Sequence, residues 1–480
     1  VADNLIDNAW LISSENTGTL NTSIGFTGFA NLMGRETVDT FTFTNEASNI
    51  TGWIDAGAGI DRLNLTNSNR NLVVRLTSVN DVVNSNEITI NNVELVDADA
   101  DNTNKLIAKD VDNIWDITST NGGSLSDGIS PLITFTNFKN LMGGNQNDLF
   151  NIGSTGSITG QIDGGAQRDR DVVDVSKASN ANVVISTATG GYTNIEKYIG
   201  NNTTSTITAD NVINNWTVIN NGGTLNNNIE FEQFGNLVGG SNQDTFNLNN
   251  ANLSGYIDGA DGSDSFNLVG SVTTGEIRGG AGDDEFRITV MSGLAGNTNL
   301  RGGSGLNRLL VTGGDANYKA THQLGVLQYA DIANTVYTSN YSEIAEVTDN
   351  VMADSLTIWG TSAVDTFRLQ NNRYQLEPTL FINYSEKQNL NINGSSTDFV
   401  SLSGSVIVPK TLTVNNAAIT TENGGKLIAE NLELVATQAV GSAANRLQLE
   451  VNNLYLKSTN GNVYINEQDS LDIKEFSSST

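Results

Sequence analysis

The sequence predicts an all-β protein and, within that class, a β-solenoid whose coils contain about 20–23 residues. Glycine is frequent, with 48 residues in 480, and asparagine is abundant, which is typical of a chain with many turns. Apolar residues alternate in short runs, as in Phe286-x-Ile288 and Phe246-x-Leu248. A glycine-rich unit returns about every 20 residues, which indicates one coil of a stacked repeat.

The repeating unit is (Leu/Ile)-x-Gly-Gly-x-x-x-Asp-x-(Phe/Leu), and neighbouring copies start 20 to 23 residues apart. A strand of a few residues cannot bury its inward side chains alone, so it stacks on copies above and below it at about 4.8 Å. Glycines supply the corners, where a positive φ is needed. With varying fidelity the unit starts at Leu32, Ile54, Leu141, Ile162, Leu237, Ile257, Ile277, Leu300 and Ile358, and in a shortened form at Ile392.

A longer repeat places three tryptophans, Trp10, Trp115 and Trp216, at spacings of 105 and 101 residues. After each one come an Asn-x-Gly-x-Leu segment, a pair of phenylalanines and an Asn-Leu step. This order predicts three homologous modules, at residues 1–104, 105–205 and 206–310. Because the flanks of the tryptophans alternate like strand residues, we expect core packing rather than sugar binding. We expect the same of the pairs Phe26 and Phe29, Phe135 and Phe138, and Phe231 and Phe234.

Residues 311–405 keep only a loose form of the unit, which predicts a divergent β-solenoid region, and residues 406–480 alternate more closely. Within this last segment, Gly424-Gly-Lys-Leu-Ile-Ala-Glu-Asn-Leu-Glu-Leu434 resembles the repeats of large exoproteins of the filamentous haemagglutinin type. The resemblance implies a right-handed parallel β-helix, export by bacteria through two-partner secretion, and a role in adhesion or matrix building.

One glycine-rich turn carries a second resemblance. Residues 279–286, Gly-Gly-Ala-Gly-Asp-Asp-Glu-Phe, match the Gly-Gly-x-Gly-x-Asp-x-hydrophobic nonapeptide of repeats-in-toxin proteins, and residues 259–266 match it in part. The resemblance implies calcium held between successive turns. Here the pattern returns about every 20 residues rather than every nine, so the family's calcium stoichiometry does not carry over directly.

Stacking in register would place Asp244, Asp264 and Asp284 in one column about 5 Å apart, where like charges repel. Calcium would compensate, since it binds six to eight oxygens, and Asp261 and Asp283 are the candidate additional ligands. Alternatively, each aspartate accepts hydrogen bonds from the backbone of its own glycine turn. The sequence leaves both interpretations open.

Composition excludes several classes of function. The net charge of −29 argues against nucleic acid or an anionic membrane surface as a partner. The absence of cysteine excludes disulfides, zinc-thiolate sites and thiol nucleophiles. No apolar run is long enough for a transmembrane helix, so we expect no membrane insertion. The chain begins in mid-pattern at Val1, which indicates a piece of a longer processed polypeptide.

The single histidine, His322, has no catalytic or metal-ligand spacing around it, so we expect a solvent-exposed or hydrogen-bonded role. Acidic residues recur with the repeat, whereas a catalytic site should be a singular break in it, so we predict no enzyme. The alternative is a carbohydrate-active β-helix enzyme (a polysaccharide lyase or hydrolase) or a polysaccharide-binding module. The enzyme alternative would need a cleft lined by non-repeating acids, most plausibly in residues 311–405.

The sequence as a whole favours a structural shaft or polymer-forming segment of a bacterial extracellular surface fibre or adhesin. Its role would be adhesion, cell-cell contact or matrix building, as in a biofilm. Its partners would be copies of itself, joined head to tail or laterally, or the rest of a longer chain. A host, cell-surface or polysaccharide receptor is the further expected partner.

Overall fold

The computed structural model describes residues 1–3, 5–76, 87–129, 131–166, 170–179, 182–185, 191–202, 204–219, 221–376, 380–468 and 470–478. These residues form strands and turns, and none of them lies in a helix. The prediction of an all-β protein is therefore confirmed. No helix that could span a membrane occurs in these described ranges.

The chain forms two compact units. The first contains Val1–Asn211 and Asn221–Leu237, and the second contains Val212–Asn220 and Val238–Thr480. The finer division into five segments, with boundaries at residues 104, 205, 310 and 405, stays a prediction.

Forty-four strands are assigned in the described residues, most of them three to seven residues long. Those up to residue 211 are β1 Asn8–Ser14, β2 Thr17–Leu20, β3 Ile24–Thr27, β4 Leu32–Arg35, β5 Asp39–Phe43, β6 Trp53–Gly57, β7 Arg62–Asn64, β8 Val73–Leu76, β9 Glu87–Asn91, β10 Leu95–Asp97, β11 Lys105–Ile107, β12 Asn113–Ser119, β13 Gly122–Ser126, β14 Pro131–Thr136, β15 Asn140–Gly144, β16 Asp148–Ile152, β17 Gln161–Gly165, β18 Val172–Asp174, β19 Asn182–Val184, β20 Gly191–Thr193, β21 Lys197–Ile199 and β22 Thr206–Thr208. Those that follow are β23 Asn215–Ile219, β24 Gly222–Leu225, β25 Ile229–Glu232, β26 Asn236–Gly240, β27 Thr245–Asn249, β28 Tyr256–Ala260, β29 Ser265–Val269, β30 Glu276–Ala281, β31 Glu285–Val290, β32 Gly296–Ser304, β33 Arg308–Gly314, β34 Lys319–Gln323, β35 Val326–Ala330, β36 Val336–Ser342, β37 Glu346–Trp359, β38 Thr366–Gln370, β39 Arg373–Gln375, β40 Phe381–Tyr384, β41 Lys387–Ala436, β42 Leu447–Ser458, β43 Ile465–Glu467 and β44 Asp472–Ser478.

The first unit is built on parallel pairing between strands that are distant in sequence. Eight strands form a sheet in the order β20-β17-β15-β11-β8-β9-β6-β4, and their pairings are parallel. A second parallel series runs through β1, β5, β7, β10 and β14. In most cases a chain segment of about 20 to 40 residues therefore returns to the same sheet one strand, here called one rung, further on, whereas β9 inserts between β6 and β8.

The second unit shows the same pairing with a shorter return. Strands β27, β29, β31 and β33 pair in parallel, with Thr245 opposite Ser265, Ser265 opposite Glu285, and Glu285 opposite Arg308. Strands β28, β30 and β32 form a second parallel series. The sequence period of about 20 residues is thus the distance from one rung to the next in this part of the chain.

Antiparallel ribbons interrupt the parallel rungs, and the period argument did not predict them. In the first unit, β2 pairs antiparallel with β1 and β3, and β13 does so with β12 and β14. The Asn-x-Gly-x-Leu segments form these ribbons. Their turns contain Asn16, Asn121 and Asn221 with φ of 52°, 57° and 59°. Asparagine reaches this left-handed region more easily than most residues, and Asn-Gly is a hairpin signal that the sequence carries at 121–122 and 221–222.

The core contains stacked aromatic rings. Trp10, Trp115 and Trp216 are buried, and their rings stack on a phenylalanine of the next rung at 5.5–5.6 Å, so the prediction of core packing is confirmed. The phenylalanine pairs at 135/138 and 231/234 are buried as well. The prediction is wrong for Phe29, which is 59% exposed, because the β2–β3 ribbon that precedes it is itself largely exposed at β3.

Candidate functional site

Three of the predicted site residues, Asp244, Asp264 and Asp284, lie in a buried stack, here called the aspartate column, which also contains Asn214 and Asn307. Apart from Asn214, each of them directly precedes a strand of the parallel series and follows a glycine-rich turn. Because these strands pair in register, the four residues fall one above another. All five are at most 1% exposed.

Each carboxylate in the column accepts a hydrogen bond from the backbone of the preceding rung. The amide of Asp244 donates to Asp264 Oδ1 at 2.7 Å, and the amide of Asp264 donates to Asp284 Oδ1 at 2.9 Å. Asn214 donates to Asp244 Oδ1 at 2.7 Å, and Asp284 donates to Asn307 Oδ1 at 2.9 Å. The side chains therefore continue the hydrogen bonding between rungs into the turns, where a buried N–H would otherwise lack an acceptor.

The second carboxylate oxygen explains the first glycine of the repeating unit. A Cβ on Gly259 would lie 2.1 Å from Asp264 Oδ2, and a Cβ on Gly279 would lie 2.2 Å from Asp284 Oδ2. The Oδ2 atoms of Asp244, Asp264 and Asp284 are buried and have no hydrogen-bond partner. In each carboxylate, Oδ1 thus accepts the hydrogen bond from the neighbouring rung, while Oδ2 lies against a glycine.

Burial changes the acidity of the column. Removal from water raises the pKa of Asp264 to about 7; the hydrogen bond from Asp244 opposes this shift, and the neighbouring carboxylates add to it. Burial raises the pKa of Asp244 and of Asp284 to about 6 against the hydrogen bonds they accept. These groups bind a proton more readily in the folded chain than in the unfolded one.

We predict that the protein loses stability as the pH rises from 5 to 8. The folded-state pKa of Asp264 lies above its ordinary value of 3.8, so its stabilising effect is complete below about pH 4 and is lost as the pH rises through about 7. Asp264→Asn should reduce this loss, because Asn307 already fills the same role with an amide. Melting temperatures at pH 5 and pH 8 measure the difference.

Asp261→Asn is the matched control, since it removes the same charge at an exposed position in the same turn. The two variants should differ at pH 8 and converge at pH 5. If the two variants had equal melting temperatures at both pH values, the Asp264 carboxyl would ionise without any loss of folding free energy.

The first unit contains two shorter ladders of the same kind. The amide of Asp39 donates to Asp61 Oδ1 at 2.7 Å, and that of Asp148 donates to Asp171 Oδ1 at 2.7 Å. The donating aspartates also cap their own turns, because Asp148 Oδ2 accepts from the amide of Gly144 at 2.7 Å and Asp39 Oδ2 accepts from the amide of Arg35 at 2.9 Å. The interpretation of a turn-capping aspartate therefore describes Asp39 and Asp148, although Asp148 Oδ1 also accepts from the amide of Asn113 at 3.1 Å. The carboxylates of Asp244, Asp264 and Asp284 accept from the amide of the preceding rung.

The two additional ligands predicted for calcium lie apart from the column's interior. Asp261 and Asp283 are exposed, and Asp283 Oδ1 accepts a hydrogen bond from the amide of Leu306 at 2.8 Å. Within the described part of the chain, no three histidine, cysteine or acidic side chains are grouped as a metal site would require. Calcium binding at residues 244–284 stays a prediction.

A second buried polar group, here called the buried polar cluster, consists of His322, Asp349, Tyr374 and Lys387. His322 Nε2 lies 2.8 Å from Asp349 Oδ2, and Nδ1 lies 2.8 Å from the Tyr374 hydroxyl. Lys387 Nζ lies 3.2 Å from Asp349 Oδ1. His322 therefore takes the hydrogen-bonded one of its two predicted roles.

Burial raises the pKa of Asp349, but the hydrogen bond from His322 and the charge of Lys387 lower it by more, so the net shift is downward. Asp349 is thus held as a carboxylate between its two partners. Sequence reasoning missed Asp349, Tyr374 and Lys387 because none of them belongs to the repeating unit. The single histidine of the sequence lies in the divergent region, but nothing near it in the sequence indicates these partners.

Both groups have the chemistry of structural elements. The acids of the column are shielded from solvent and bonded to backbone amides, and the one acid of the cluster, Asp349, is paired with His322 and Lys387. Neither a protein-family model nor a curated protein matches the chain. The function is therefore best inferred from the chemistry of these residues.

Proposed function

We propose that the chain is a structural shaft segment of a bacterial extracellular surface fibre, in which each compact unit is a right-handed parallel β-helix. Parallel rungs that return after about 20 to 40 residues support this architecture. Successive parallel strands of one sheet are almost always joined with right-handed connections. Stacked rings at 4.9–5.6 Å add contacts along the same direction.

The observation that carries the proposal is the aspartate column. A binding or catalytic carboxylate needs an oxygen that a ligand can reach. These carboxylates are at most 1% exposed, and one oxygen of each accepts a hydrogen bond from the neighbouring rung. They also recur with the repeat. Acids arranged in this way add cohesion between rungs, which is the property that a load-bearing shaft requires.

The extracellular setting rests on the resemblance of residues 424–434 to haemagglutinin-type exoproteins and on the acidic composition, with 53 acidic and 24 basic residues. In such a fibre the chain would join copies of itself or the rest of a longer polypeptide. Adhesion and matrix building are the roles that this arrangement would serve.

Pulling the full chain by its ends tests the mechanical proposal. Because each rung contacts only its neighbours, we expect it to lengthen in many steps of about 20 to 40 residues, or roughly 70–140 Å each. Optical tweezers resolve steps of this size. Two large steps of about 230 and about 250 residues would contradict the proposed architecture, because they would mean that each unit unfolds as a whole.

The alternative of a polysaccharide-cleaving enzyme is favoured by one observation, the buried polar cluster, which interrupts the repeat in residues 311–405. His322 and Asp349 are each 0% exposed, so neither can reach a polymer. We therefore expect no release of reducing ends or unsaturated products from polysaccharides. Turnover that disappears in Asp349→Asn would reverse this assignment.

A further inference from the structure

The buried polar cluster brings an amine into contact with a carboxylate on the neighbouring rung. Asp349 pairs with Tyr384, and Ala353 pairs with Lys387, so Asp349 and Lys387 lie on successive rungs. Lys387 Nζ lies 3.2 Å from Asp349 Oδ1, and the two side chains are 2% and 0% exposed. Burial imposes a desolvation cost on both charges, which a neutral amide between the same two groups would remove.

Backbone carbonyls fix the position of Lys387 Nζ beside the carboxylate. The ammonium group donates to the carbonyls of Ser385, at 2.8 Å, and of Val351, which leaves its third N–H for Asp349 Oδ1. When that proton moves to Oδ1, the lone pair left on Nζ is directed at the carboxyl group. Burial lowers the pKa of Lys387, although the charge of Asp349 opposes the shift, so the neutral amine is reached more easily than in water.

His322 supplies the third group that amide formation needs. Its Nε2 lies 2.8 Å from Asp349 Oδ2, and because a carboxylate only accepts hydrogen bonds, Nε2 carries the hydrogen. In the neutral ring, Nδ1 then accepts from the Tyr374 hydroxyl at 2.8 Å. The Nε2–H group is therefore aimed at the oxygen on which negative charge develops when an amine attacks the carboxyl carbon, as a donor of an oxyanion hole is.

We propose that Lys387 and Asp349 form an intramolecular isopeptide bond, with His322 as the group that stabilises the developing charge. One proton passes from Nζ to Oδ1, Nζ attacks Cγ, and the charge that develops on Oδ2 is held by Nε2–H of His322. A second proton passes from Nζ to Oδ1, the Cγ–Oδ1 bond breaks, and water leaves. The step is a condensation, so it needs no oxidant, reductant or co-reactant. The product amide keeps one N–H for a backbone carbonyl and one oxygen for His322.

The surroundings suit a reaction that occurs once in each molecule. Ser385 and Lys387 line a surface depression of about 390 Å³, which gives the released water a route to solvent. On the buried side, the rings of Tyr329 and Tyr374 lie 6.4 and 5.9 Å from that of His322, and both tyrosines are at most 1% exposed. These rings exclude bulk water from the bond once it has formed.

The bond ties two rungs together and closes the chain between them. Under load, residues 350–386 cannot extend, so the fully stretched chain is shorter by roughly 130 Å. The inference does not depend on the proposed function, because the bond can be detected without a fibre. A chain without the bond would still lengthen in the steps expected of a shaft, so the two proposals fail separately.

Mass spectrometry of the full chain tests the bond directly. After one week at neutral pH, we expect the denatured chain to weigh one water molecule less than its sequence. Trypsin should not cut after Lys387, and residues 320–368 should be recovered joined to residues 374–410. The peptide map is required because an aspartate that cyclises onto its own backbone also loses water.

Lys387→Arg is the matched variant, because it keeps a positive charge beside Asp349 but removes the amine, and it should have the full mass of its sequence. His322→Phe should slow formation of the bond about 10²- to 10³-fold, as loss of an oxyanion donor does. The pair of Lys197 and Glu232 is the control within the chain. Its atoms lie 2.9 Å apart, but its side chains are 20% and 44% exposed, and it should stay unlinked.

The proposal is overturned if the wild-type chain keeps the full mass of its sequence, if the missing water maps to other residues, or if Lys387→Arg loses it too. Because the wild-type chain decides the first two outcomes, the test stands even if a variant does not fold. Formation of the bond in His322→Phe at the wild-type rate would overturn the role of His322.

Discussion

Phe266→Ala is expected to destabilise the second unit by about 3–5 kcal/mol. The Phe266 ring is buried between those of Phe246 and Phe286, with centroids 5.1 and 4.9 Å away and nearly parallel planes. Removing it leaves a cavity that separates two rungs and exposes two further rings. Urea denaturation measures the loss in the free energy of unfolding. Hydrogen exchange of peptides from residues 244–290 shows which strands lose protection.

Phe29→Ala is the control for this substitution, because Phe29 is 59% exposed and the same atoms are removed from the surface. We expect it to cost less than about 1 kcal/mol. If Phe266→Ala cost no more than Phe29→Ala, the rings would not form a stack in solution, and the register of β27, β29 and β31 would be wrong.

Gly259→Ala is expected to destabilise the second unit by about 2–4 kcal/mol, although it adds a single methyl group. The new Cβ would lie 2.1 Å from Asp264 Oδ2 and 2.5 Å from the carbonyl oxygen of Gly279. Because the Gly279 carbonyl belongs to the backbone, the Asp264 carboxylate is the group that has to move. The hydrogen bond that it accepts from the amide of Asp244 is then lost. Thermal melting and exchange of the Asp244 amide report the two effects.

Gly25→Ala provides the comparison, since a Cβ at Gly25 would meet nothing within 4 Å. It should leave the melting temperature almost unchanged. A mild effect of Gly259→Ala, equal to that of Gly25→Ala, would mean that the carboxylate of Asp264 does not occupy the space against the glycine.

The two glycines of the repeating unit illustrate how far a sequence can be interpreted. The second glycine, as at Gly240 and Gly280, has a φ of 145° or 109°, and glycine at a corner is what a turn predicts. The first glycine, as at Gly259, is required by a carboxylate five residues later. That requirement depends on how the turn packs. The sequence therefore shows the five-residue spacing between the glycine and the aspartate, but not the reason for it.

The vertical alignment of Asp244, Asp264 and Asp284 follows from a period of 20 residues, and the structure places the three as that period predicts. Their acceptor role could not be predicted, because it depends on which backbone N–H groups the turns leave without partners. The antiparallel ribbons had a local signal in Asn-Gly pairs. The buried polar cluster had none, since His322 meets Asp349 and Tyr374 across 27 and 52 residues.

The most direct test of the central claim is a titration of the Asp264 carboxyl by ¹³C NMR, with aspartate-selective labelling and Asp264→Asn to assign the signal. If the column holds the rungs together as a buried hydrogen-bonded ladder, the pKa of Asp264 will be about 7 and will not change when calcium is added. A pKa below the ordinary 3.8, or a pKa that falls on addition of calcium, would contradict the claim. In that case the carboxylates would be metal ligands rather than structural acceptors.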